Sequence, residues 1–246
     1  MSKLDLLAPG PVLVDLWGVI HDGSELFPDA IPMLEGLKER DVRVCLFTNA
    51  SWRARRVEEH VRKLGVPSEL FDAVVSSGEA AHVWLRKRQP RVLMLGSFAH
   101  EALLEGPGIE SVETIEDAEV VLVAGRHPET AAVLQHAHAR DVLVLCANPD
   151  VQVPKLDGQM RPGVGAQVMG YPGRLLATGK PHGPIYALAE QVLGEAPGVA
   201  IGDGVRTDLA GAIAQGLPCV LVDRWDRYHN VEGATAIWAD LWDEAV

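Results

Sequence analysis

The sequence is poor in cysteine and has no long apolar run. Its three cysteines have no close spacing, a pattern that supports neither a disulfide framework nor a zinc site. Each stands in a strand-like apolar segment, so we expect Cys45, Cys146 and Cys219 to be buried free thiols. No apolar run approaches membrane-spanning length, and no cationic segment leads into an apolar signal segment. We therefore expect a cytoplasmic protein that does not insert into a membrane.

Basic residues are also few. Lys and Arg total 22 against 34 Asp and Glu, which gives a formal charge of −12. Because no basic stripe offsets this charge, the balance argues against binding to nucleic acid or to an anionic membrane surface. A small phosphorylated molecule is not excluded, since it requires only a local positive site.

Short apolar runs alternate with amphipathic stretches along the whole chain of 246 residues. Fully apolar strands separated by helices indicate an α/β fold whose parallel sheet is covered on both faces. The predicted strands are Val12–Trp17, Val42–Phe47, Ala73–Val75, Val92–Leu95, Val120–Val123, Val142–Cys146, Leu175–Ala177, Val199–Ile201 and Cys219–Val222. The predicted helices are Ala30–Arg40, Arg53–Leu64, Glu79–Arg88, Pro128–Arg140, Pro184–Leu193 and Thr207–Gln215.

The middle of the chain is predicted to be a second domain. Gln89-Pro90-Arg91 interrupts the helix that ends near Arg88, and a new alternation of strands and helices follows. This alternation ends at a turn-rich segment over 170–174. We therefore predict a core of residues 1–88 and 174–246, interrupted by a smaller α/β domain over 89–173.

Polar residues follow several of the apolar runs. They are Asp15, Thr48-Asn49, Lys180, Asp203 and the nearby Asp208. Each has a plain alternative: Asp15 could be a turn former, Thr48-Asn49 a cap, Lys180 a solvated charge and Asp208 a first-turn acid. However, the carboxyl ends of parallel strands converge on one crevice, which favours a common site.

The combination of these residues suits chemistry at phosphorus. A carboxylate that attacks a phosphate dianion meets charge repulsion, so it needs a metal ion and a lysine to neutralise charge. A hydroxyl and an amide could orient the other phosphate oxygens. Carboxylates gathered in one crevice would form a hard oxygen site suited to Mg²⁺. Two other phosphate motifs are absent: the spacing after Gly202-Asp203-Gly204 does not fit a dinucleotide fingerprint, and Gly173 through Lys180 does not fit a P-loop.

The order of these motifs resembles the haloacid dehalogenase (HAD) superfamily. The resemblance rests on Asp15 with Gly18-Val19, Thr48-Asn49, Lys180, and Gly202-Asp203 with Thr207-Asp208. Further segments resemble subclass IIA, which has an inserted α/β cap and includes nitrophenyl-phosphatase-like and pyridoxal-phosphate-phosphatase-like enzymes. These segments are Ala147-Asn148-Pro149-Asp150, Pro162-Gly163-Val164-Gly165-Ala166, Gly179-Lys180-Pro181 and Ile185-Tyr186.

The resemblance implies a Rossmann-like parallel-sheet core with an inserted cap, and a role for each residue. Asp15 would be the nucleophile and a Mg²⁺ ligand, together with the Trp17 carbonyl and Asp203. Lys180 would bridge the charges of nucleophile and phosphate. Asp208 would support the water shell of the metal or Lys180. Phosphate or substrate binding would fall to Thr48, Asn49, Asn148 and Asp150, although Asn148-Pro149-Asp150 is equally a turn.

One position departs from the family pattern. Phosphatases of the family carry a general acid two residues after the nucleophile, where this chain has Trp17. Loss of such help costs about 10²–10⁴-fold in rate, or roughly 3–5 kcal/mol. His21 or Asp22 are candidates for replacing the acid, although Asp22-Gly23 is more simply a turn.

The resemblance implies a Mg²⁺-dependent phosphatase that hydrolyses a small phosphorylated metabolite through an aspartyl-phosphate on Asp15. Two alternatives follow from Trp17. One is a phospho-ligand binding or regulatory protein with weak catalysis. The other is a carbon–halogen hydrolase, because a halide leaves without a proton. Family habit also suggests a homodimer formed through the cap.

Overall fold

The computed structural model describes residues 9–154, 159–228 and 231–241. These residues form two compact units. The first comprises the described residues of Met1–Thr48, Glu58–Val75 and Tyr186–Val246, and the second comprises those of Asn49–Val57 and Ser76–Ile185. The predicted domain limits, with a core at 1–88 and 174–246 and a cap at 89–173, stay a prediction.

Strands and helices alternate through both units. The strands are β1 (Val12–Val14), β2 (Val44–Thr48), β3 (Ala73–Ser76), β4 (Arg91–Leu95), β5 (Glu110–Val112), β6 (Val120–Val123), β7 (Leu143–Cys146), β8 (Gln152–Pro154), β9 (Met160–Pro162), β10 (Leu175–Ala177), β11 (Val199–Gly202), β12 (Cys219–Val222) and β13 (Ala236–Trp238). The α-helices are α1 (Ala30–Glu39), α2 (Ala54–Leu64), α3 (Ser77–Arg88), α4 (Thr130–Ala139), α5 (Gly183–Leu193) and α6 (Ala210–Gln215).

The sheet of the first unit has the order β13-β12-β11-β1-β2-β3. The pairs from β13 to β2 are parallel, and every residue of β1, β2, β11 and β12 is buried. Val14 of β1 stands level with Leu46 of β2 and Ile201 of β11. Because these strands run in the same direction, their carboxyl ends lie at the same edge, which is where α/β sheets place their sites.

The sheet of the second unit has the order β10-β7-β6-β4-β5, and all its strands are parallel. Alternate residues of its central strands enter two separate apolar clusters. Val121 and Val144 pack with α4 residues, whereas Leu122 and Leu145 pack with α3 residues. Both faces of this sheet are therefore covered by helices, as expected for a parallel sheet. β8 and β9 form a separate antiparallel pair.

The predicted fold class is confirmed: the chain is an α/β protein with a Rossmann-like parallel sheet and a second, inserted α/β unit. Cys45, Cys146 and Cys219 are buried and form no disulfide, as predicted. Burial raises the pKa of the Cys45 thiol to about 12 and that of Cys146 to about 11, so both stay protonated at neutral pH. Across the described ranges, no helix is both long enough and apolar enough to cross a membrane.

Candidate functional site

Three acidic side chains meet in the first unit. Asp15 directly follows β1, Asp203 directly follows β11, and Asp208 lies in the π-helical turn Val205–Leu209. One carboxylate oxygen from each lies within 4.8 Å of the others, and all three residues are buried. Buried carboxylates at such short range repel one another, and a bound cation would remove that repulsion. The structure thus brings these three predicted residues together as a candidate metal centre.

The donor set fits a hard divalent cation. Carboxylate oxygens are preferred ligands of Mg²⁺ and Ca²⁺, and ligands about 2.1 Å from a Mg²⁺ ion lie roughly 3–4 Å apart. Local contacts also hold the carboxylates: Asp15 Oδ1 accepts from the Leu16 amide at 2.8 Å. Asp208 Oδ2 accepts from the Gly204 amide at 3.2 Å and from the Thr207 hydroxyl at 3.0 Å. A cation at this centre would therefore meet ligands that are already oriented.

Two glycines make room for the acids. Gly18 has a φ of +80°, and a Cβ placed there would lie 2.5 Å from Asp203 Oδ2. A Cβ on Gly202 would lie 2.1 Å from Asp208 Cγ. Ordinary contact begins at 3.4 Å, so neither position has space for a side chain. The glycines of the two motifs are thus part of the centre.

The positively charged side chain of Arg227, in the segment that follows β12, contacts Asp203. Arg227 Nη2 donates to Asp203 Oδ2 at 3.1 Å and to its carbonyl oxygen at 3.2 Å. The hydroxyl of Tyr228 donates to the same carbonyl at 3.1 Å. The backbone N–H groups of Arg227 and Tyr228 both donate to the carboxylate of Asp223. Burial alone would raise the pKa of Asp223, but these hydrogen bonds outweigh it and leave the pKa below its ordinary value.

Arg224 supports the turn that contains Gly18. Its guanidinium makes a bidentate pair with Asp29 at 2.8 and 3.1 Å, and also donates to the carbonyls of Gly18 at 3.3 Å and Val19 at 2.9 Å. Neither Arg224 nor Arg227 was predicted from the sequence to have a role. The feature of the sequence that could have indicated these arginines is their position after the apolar run Cys219–Val222.

Trp17, which stands where the family carries an acid, is fixed by two contacts. Its ring stacks on Trp225 with centroids 5.6 Å apart and an interplanar angle of 16°. Its indole N–H donates to the Asp22 carbonyl at 2.9 Å. The Trp17 side chain is therefore held in place, and it carries no acidic proton that it could transfer to a leaving group.

The two candidate replacements for the acid are engaged in the same turn. Burial lowers the pKa of His21 to about 4, and its Nδ1 accepts from the Gly23 amide at 3.0 Å. Asp22 Oδ1 accepts from the amides of Glu25 and Ser24 and from the Ser24 hydroxyl, and these bonds lower the pKa of Asp22. At neutral pH both groups are therefore deprotonated, a state in which neither can act as the missing acid.

The other predicted residues divide between the units. Thr48 ends β2 in the first unit, where it is buried. Asn49, Asn148, Asp150 and Lys180 belong to the second unit. There Asn49 Nδ2 donates to Asp150 Oδ1 at 2.7 Å and to the Lys180 carbonyl at 3.0 Å, while Asn49 Oδ1 accepts from the Lys180 amide at 2.7 Å. The Asp150 amide donates to Asn148 Oδ1 at 2.9 Å, so all four residues are linked by hydrogen bonds.

The fold and the carboxylate centre define an α/β protein with a site for a divalent cation at the carboxyl ends of its strands. Two family models identify the family. The model for haloacid dehalogenase-like hydrolases matches residues 12–110, and a second model for HAD-like hydrolases matches residues 177–235. The chain therefore belongs to the haloacid dehalogenase-like hydrolases. The resemblance to subclass IIA and the prediction of a HAD-type enzyme are confirmed.

The chain is similar to several characterised and solved relatives. It is 28% identical over 247 residues to D-glycerol 3-phosphate phosphatase of Mycobacterium tuberculosis, covering 96% of this chain and 66% of that one. The structure of a haloacid dehalogenase-like hydrolase from Brucella suis matches with a TM-score of 0.84 and 29% identity, over 98% of this chain and 100% of that one. A glycerol phosphate phosphatase of M. tuberculosis in complex with calcium matches with a TM-score of 0.74 and 26% identity, over 94% and 73%.

Proposed function

We propose that the protein is a Mg²⁺-dependent phosphatase that hydrolyses a small phosphorylated metabolite through an aspartyl-phosphate on Asp15. The observation that carries the proposal is the buried centre of Asp15, Asp203 and Asp208. The names of the relatives support it, since they include a D-glycerol 3-phosphate phosphatase and a 5'-nucleotidase. The chain spans 66% of the length of the former, so the substrate class is part of the proposal.

In the proposed reaction, a carboxylate oxygen of Asp15 attacks phosphorus and the bond to the alcohol oxygen breaks. Water then attacks the aspartyl-phosphate, which releases phosphate and restores the carboxylate. The hydrogen bond from the Leu16 amide holds Asp15 Oδ1, so the carboxylate is oriented before substrate binds. Because Trp17 cannot donate a proton to the leaving oxygen, that proton must come from water.

Asp15, Asp203 and the Trp17 carbonyl would hold the metal ion. Bound there, the ion would neutralise charge on the phosphate and on the carboxylates. Asp208 would support the water shell of the metal or Lys180, as predicted. Its contacts with Gly204 and Thr207 also fix the segment that follows Asp203. The proposal retains Thr48 and Lys180 as phosphate-binding residues and Asn148 as a substrate-binding residue. The Asn49 side chain was also predicted to bind phosphate, but both of its amide protons are donated to protein atoms, so its proposed task is to hold Lys180. The cytoplasmic location and the homodimer stay predictions.

A phospho-ligand binding or regulatory protein is the second candidate. The observation that favours it is the fixed indole of Trp17, with both neighbouring titratable groups deprotonated. Tight binding of a phosphorylated metabolite without turnover would support this candidate. Carbon–halogen hydrolysis is less well supported, because a halide displacement does not need a centre of three carboxylates.

The test is phosphate release from sugar phosphates, glycerol phosphate, nucleotides, phosphoglycolate, pyridoxal phosphate and nitrophenyl phosphate. We expect release with Mg²⁺, its loss with EDTA, and its return when Mg²⁺ is added back. Asp15→Asn should lower kcat by at least about 10³-fold, since an amide is a poor nucleophile.

Asp41→Asn is the matched control. It makes the same chemical change at an exposed residue with a φ of +57°, a conformation that asparagine tolerates, and it should leave kcat unchanged. Unchanged turnover in Asp15→Asn would show that the nucleophile is wrongly assigned. Halide release from haloacids without Mg²⁺ would favour the dehalogenase alternative.

A further inference from the structure

Asn49 holds the backbone of Lys180 on both sides of its Cα. The Lys180 amide donates to Asn49 Oδ1 at 2.7 Å, and Asn49 Nδ2 donates to the Lys180 carbonyl at 3.0 Å. The amide donor fixes which end of the Asn49 side chain carries the oxygen. Because one planar group grips both the N–H and the C=O, it restrains the orientation of Lys180 as well as its position.

Asp150 completes this arrangement. The other proton of Asn49 Nδ2 is donated to Asp150 Oδ1 at 2.7 Å, a charge-assisted hydrogen bond. A side-chain amide has two protons, so both donors of Asn49 are used within this cluster. Asn49 and Lys180 are buried, at 5% and 2% exposure, so water has little access to either residue.

The turn that carries Asp150 is itself fixed. The Asp150 amide donates to Asn148 Oδ1 at 2.9 Å, and the Asp150 carbonyl accepts from the Gly165 amide at 2.9 Å. A Cβ on Gly165 would lie 2.1 Å from the Pro149 carbonyl oxygen, so this glycine packs directly against the turn. Two hydrogen bonds and this close packing therefore hold the turn that carries the Asp150 carboxylate.

The segment of Lys180 also requires close approach. A Cβ on Gly179 would lie 2.4 Å from Asn49 Oδ1 and 2.7 Å from Pro149 Cδ. The glycine before Lys180 is therefore what allows Asn49 to reach the Lys180 backbone. The chain of contacts runs from the Asn148 turn to Asp150, from Asp150 to Asn49, and from Asn49 to Lys180.

We propose that Asp150 is a positioning residue, whose carboxylate orients Asn49 and, through Asn49, the backbone of Lys180. This assigns Asp150 a task other than the direct substrate contact predicted from the sequence. The inference rests on the proposed function, in which Lys180 binds the phosphoryl group. Lys180 would bind the phosphoryl group that all substrates share, so the effect of substituting Asp150 should not depend on the leaving group.

The test compares Asp150→Ala with Asp150→Asn, with inorganic phosphate as the probe in calorimetric titrations in the presence of Mg²⁺. Asparagine keeps an oxygen that accepts from Asn49, whereas alanine does not. We expect Asp150→Ala to weaken phosphate binding about tenfold, the lower end for a lost hydrogen bond to a charged group, and Asp150→Asn to stay within about threefold. KM should rise by the same factor for two substrates with unlike leaving groups.

A double-mutant cycle separates positioning from direct contact. In an Asn49→Ala background, Asp150→Ala should cause no further loss beyond about twofold, because its effect passes through Asn49. A full tenfold loss in that background, or an equal loss in Asp150→Asn and Asp150→Ala, would overturn the inference. If Asp150→Ala does not fold, Asp150→Leu, which is close in shape to aspartate and has no oxygen to accept from Asn49, replaces it with the same expectation.

The failure of this inference is distinguishable from failure of the proposed function. A wild-type protein that neither binds phosphate nor releases it from any ester would refute the function. A wild-type protein that binds phosphate as tightly as Asp150→Ala does would refute only the positioning role.

Discussion

Gly18→Ala tests whether Gly18 is needed to leave space for the Asp203 carboxylate of the candidate metal centre. Gly18 has a φ of +80°, and its Cβ would lie 2.5 Å from Asp203 Oδ2, against an ordinary contact distance of at least 3.4 Å. The carboxylate, or the turn, must therefore move by about 0.9 Å, the difference between these distances. Arg227 already holds the same oxygen at 3.1 Å, so the carboxylate has a competing restraint.

The size of the effect follows from this displacement. A misplacement of about 1 Å in a reacting group costs on the order of 10²-fold in rate, and loss of support for a metal ligand costs about 10–100-fold in affinity. Alanine at positive φ adds a backbone cost of about 1–2 kcal/mol to the free energy of folding. We therefore expect Gly18→Ala to bind Mg²⁺ at least about tenfold more weakly and to lose about 10²-fold in kcat/KM.

Gly23→Ala is the control that separates the two costs. Gly23 also has a positive φ, +106°, but the nearest atom to its Cβ would be Trp17 Nε1 at 3.5 Å, an ordinary contact. Both variants should lose stability in urea denaturation, and only Gly18→Ala should lose Mg²⁺ affinity in calorimetric titration. Equal Mg²⁺ affinity in the two variants would refute the argument that Gly18 makes room for a metal ligand.

Two further predictions concern the neighbouring turn. Trp17→Asp should raise kcat for alkyl phosphates by about 10²-fold relative to kcat for nitrophenyl phosphate, since only a poor leaving group needs a proton. A folded variant without this selectivity would contradict the interpretation of Trp17. Burial lowers the pKa of His21 from 6.5 to about 4, so the unfolded chain binds a proton between these values that the folded chain does not. The contribution of His21 should leave the free energy of unfolding unchanged above pH 6.5 and lower it by roughly 3 kcal/mol as the pH drops to 4. In urea unfolding with EDTA, His21→Gln should reduce this fall, and an equally steep fall in the variant would contradict the assignment.

The central strands were predictable because they are buried on both faces. β6 and β12 are buried throughout and have the predicted limits, as does the edge strand β10, whereas β1 ends at Val14 and not at Trp17 as predicted. β5 and β13 were not predicted. Both are edge strands of three residues, and neither is fully buried. The β5 sequence Glu110-Ser111-Val112 also has only one apolar residue, so it lacks the pattern that identifies a buried strand.

The helix predicted over Thr207–Gln215 begins differently in the structure. The π-helical turn Val205–Leu209 leads into α6, which starts at Ala210. The turn places Asp208 where its Oδ2 accepts from the Gly204 amide. Sequence periodicity does not distinguish a π-helical turn from a first α-helical turn, so this departure at the metal centre could not be predicted.

The meeting of Asp15 and Asp203 was predictable from the pattern of buried strands. Each residue directly follows one of these strands, and the carboxyl ends of parallel strands lie at one edge of a sheet. The contacts around Asn49 were not predictable, because its partners Asp150 and Lys180 stand 101 and 131 residues away. The sequence indicated an amide suited to phosphate, whereas in the fold both amide protons are donated to protein atoms.

The segment after β12 links the departure at position 17 to the metal centre. Trp17 stacks on Trp225, and Arg227, two residues further on, lies over the same Trp225 ring at 4.9 Å and binds Asp203. An aspartate at position 17 would remove the stacking surface of Trp225 and thus part of the support for Arg227. Trp17→Asp therefore combines a gain in acid catalysis with a loss at a metal ligand. The rate increase expected from this single substitution is accordingly a lower bound on what a carboxylate at position 17 could contribute.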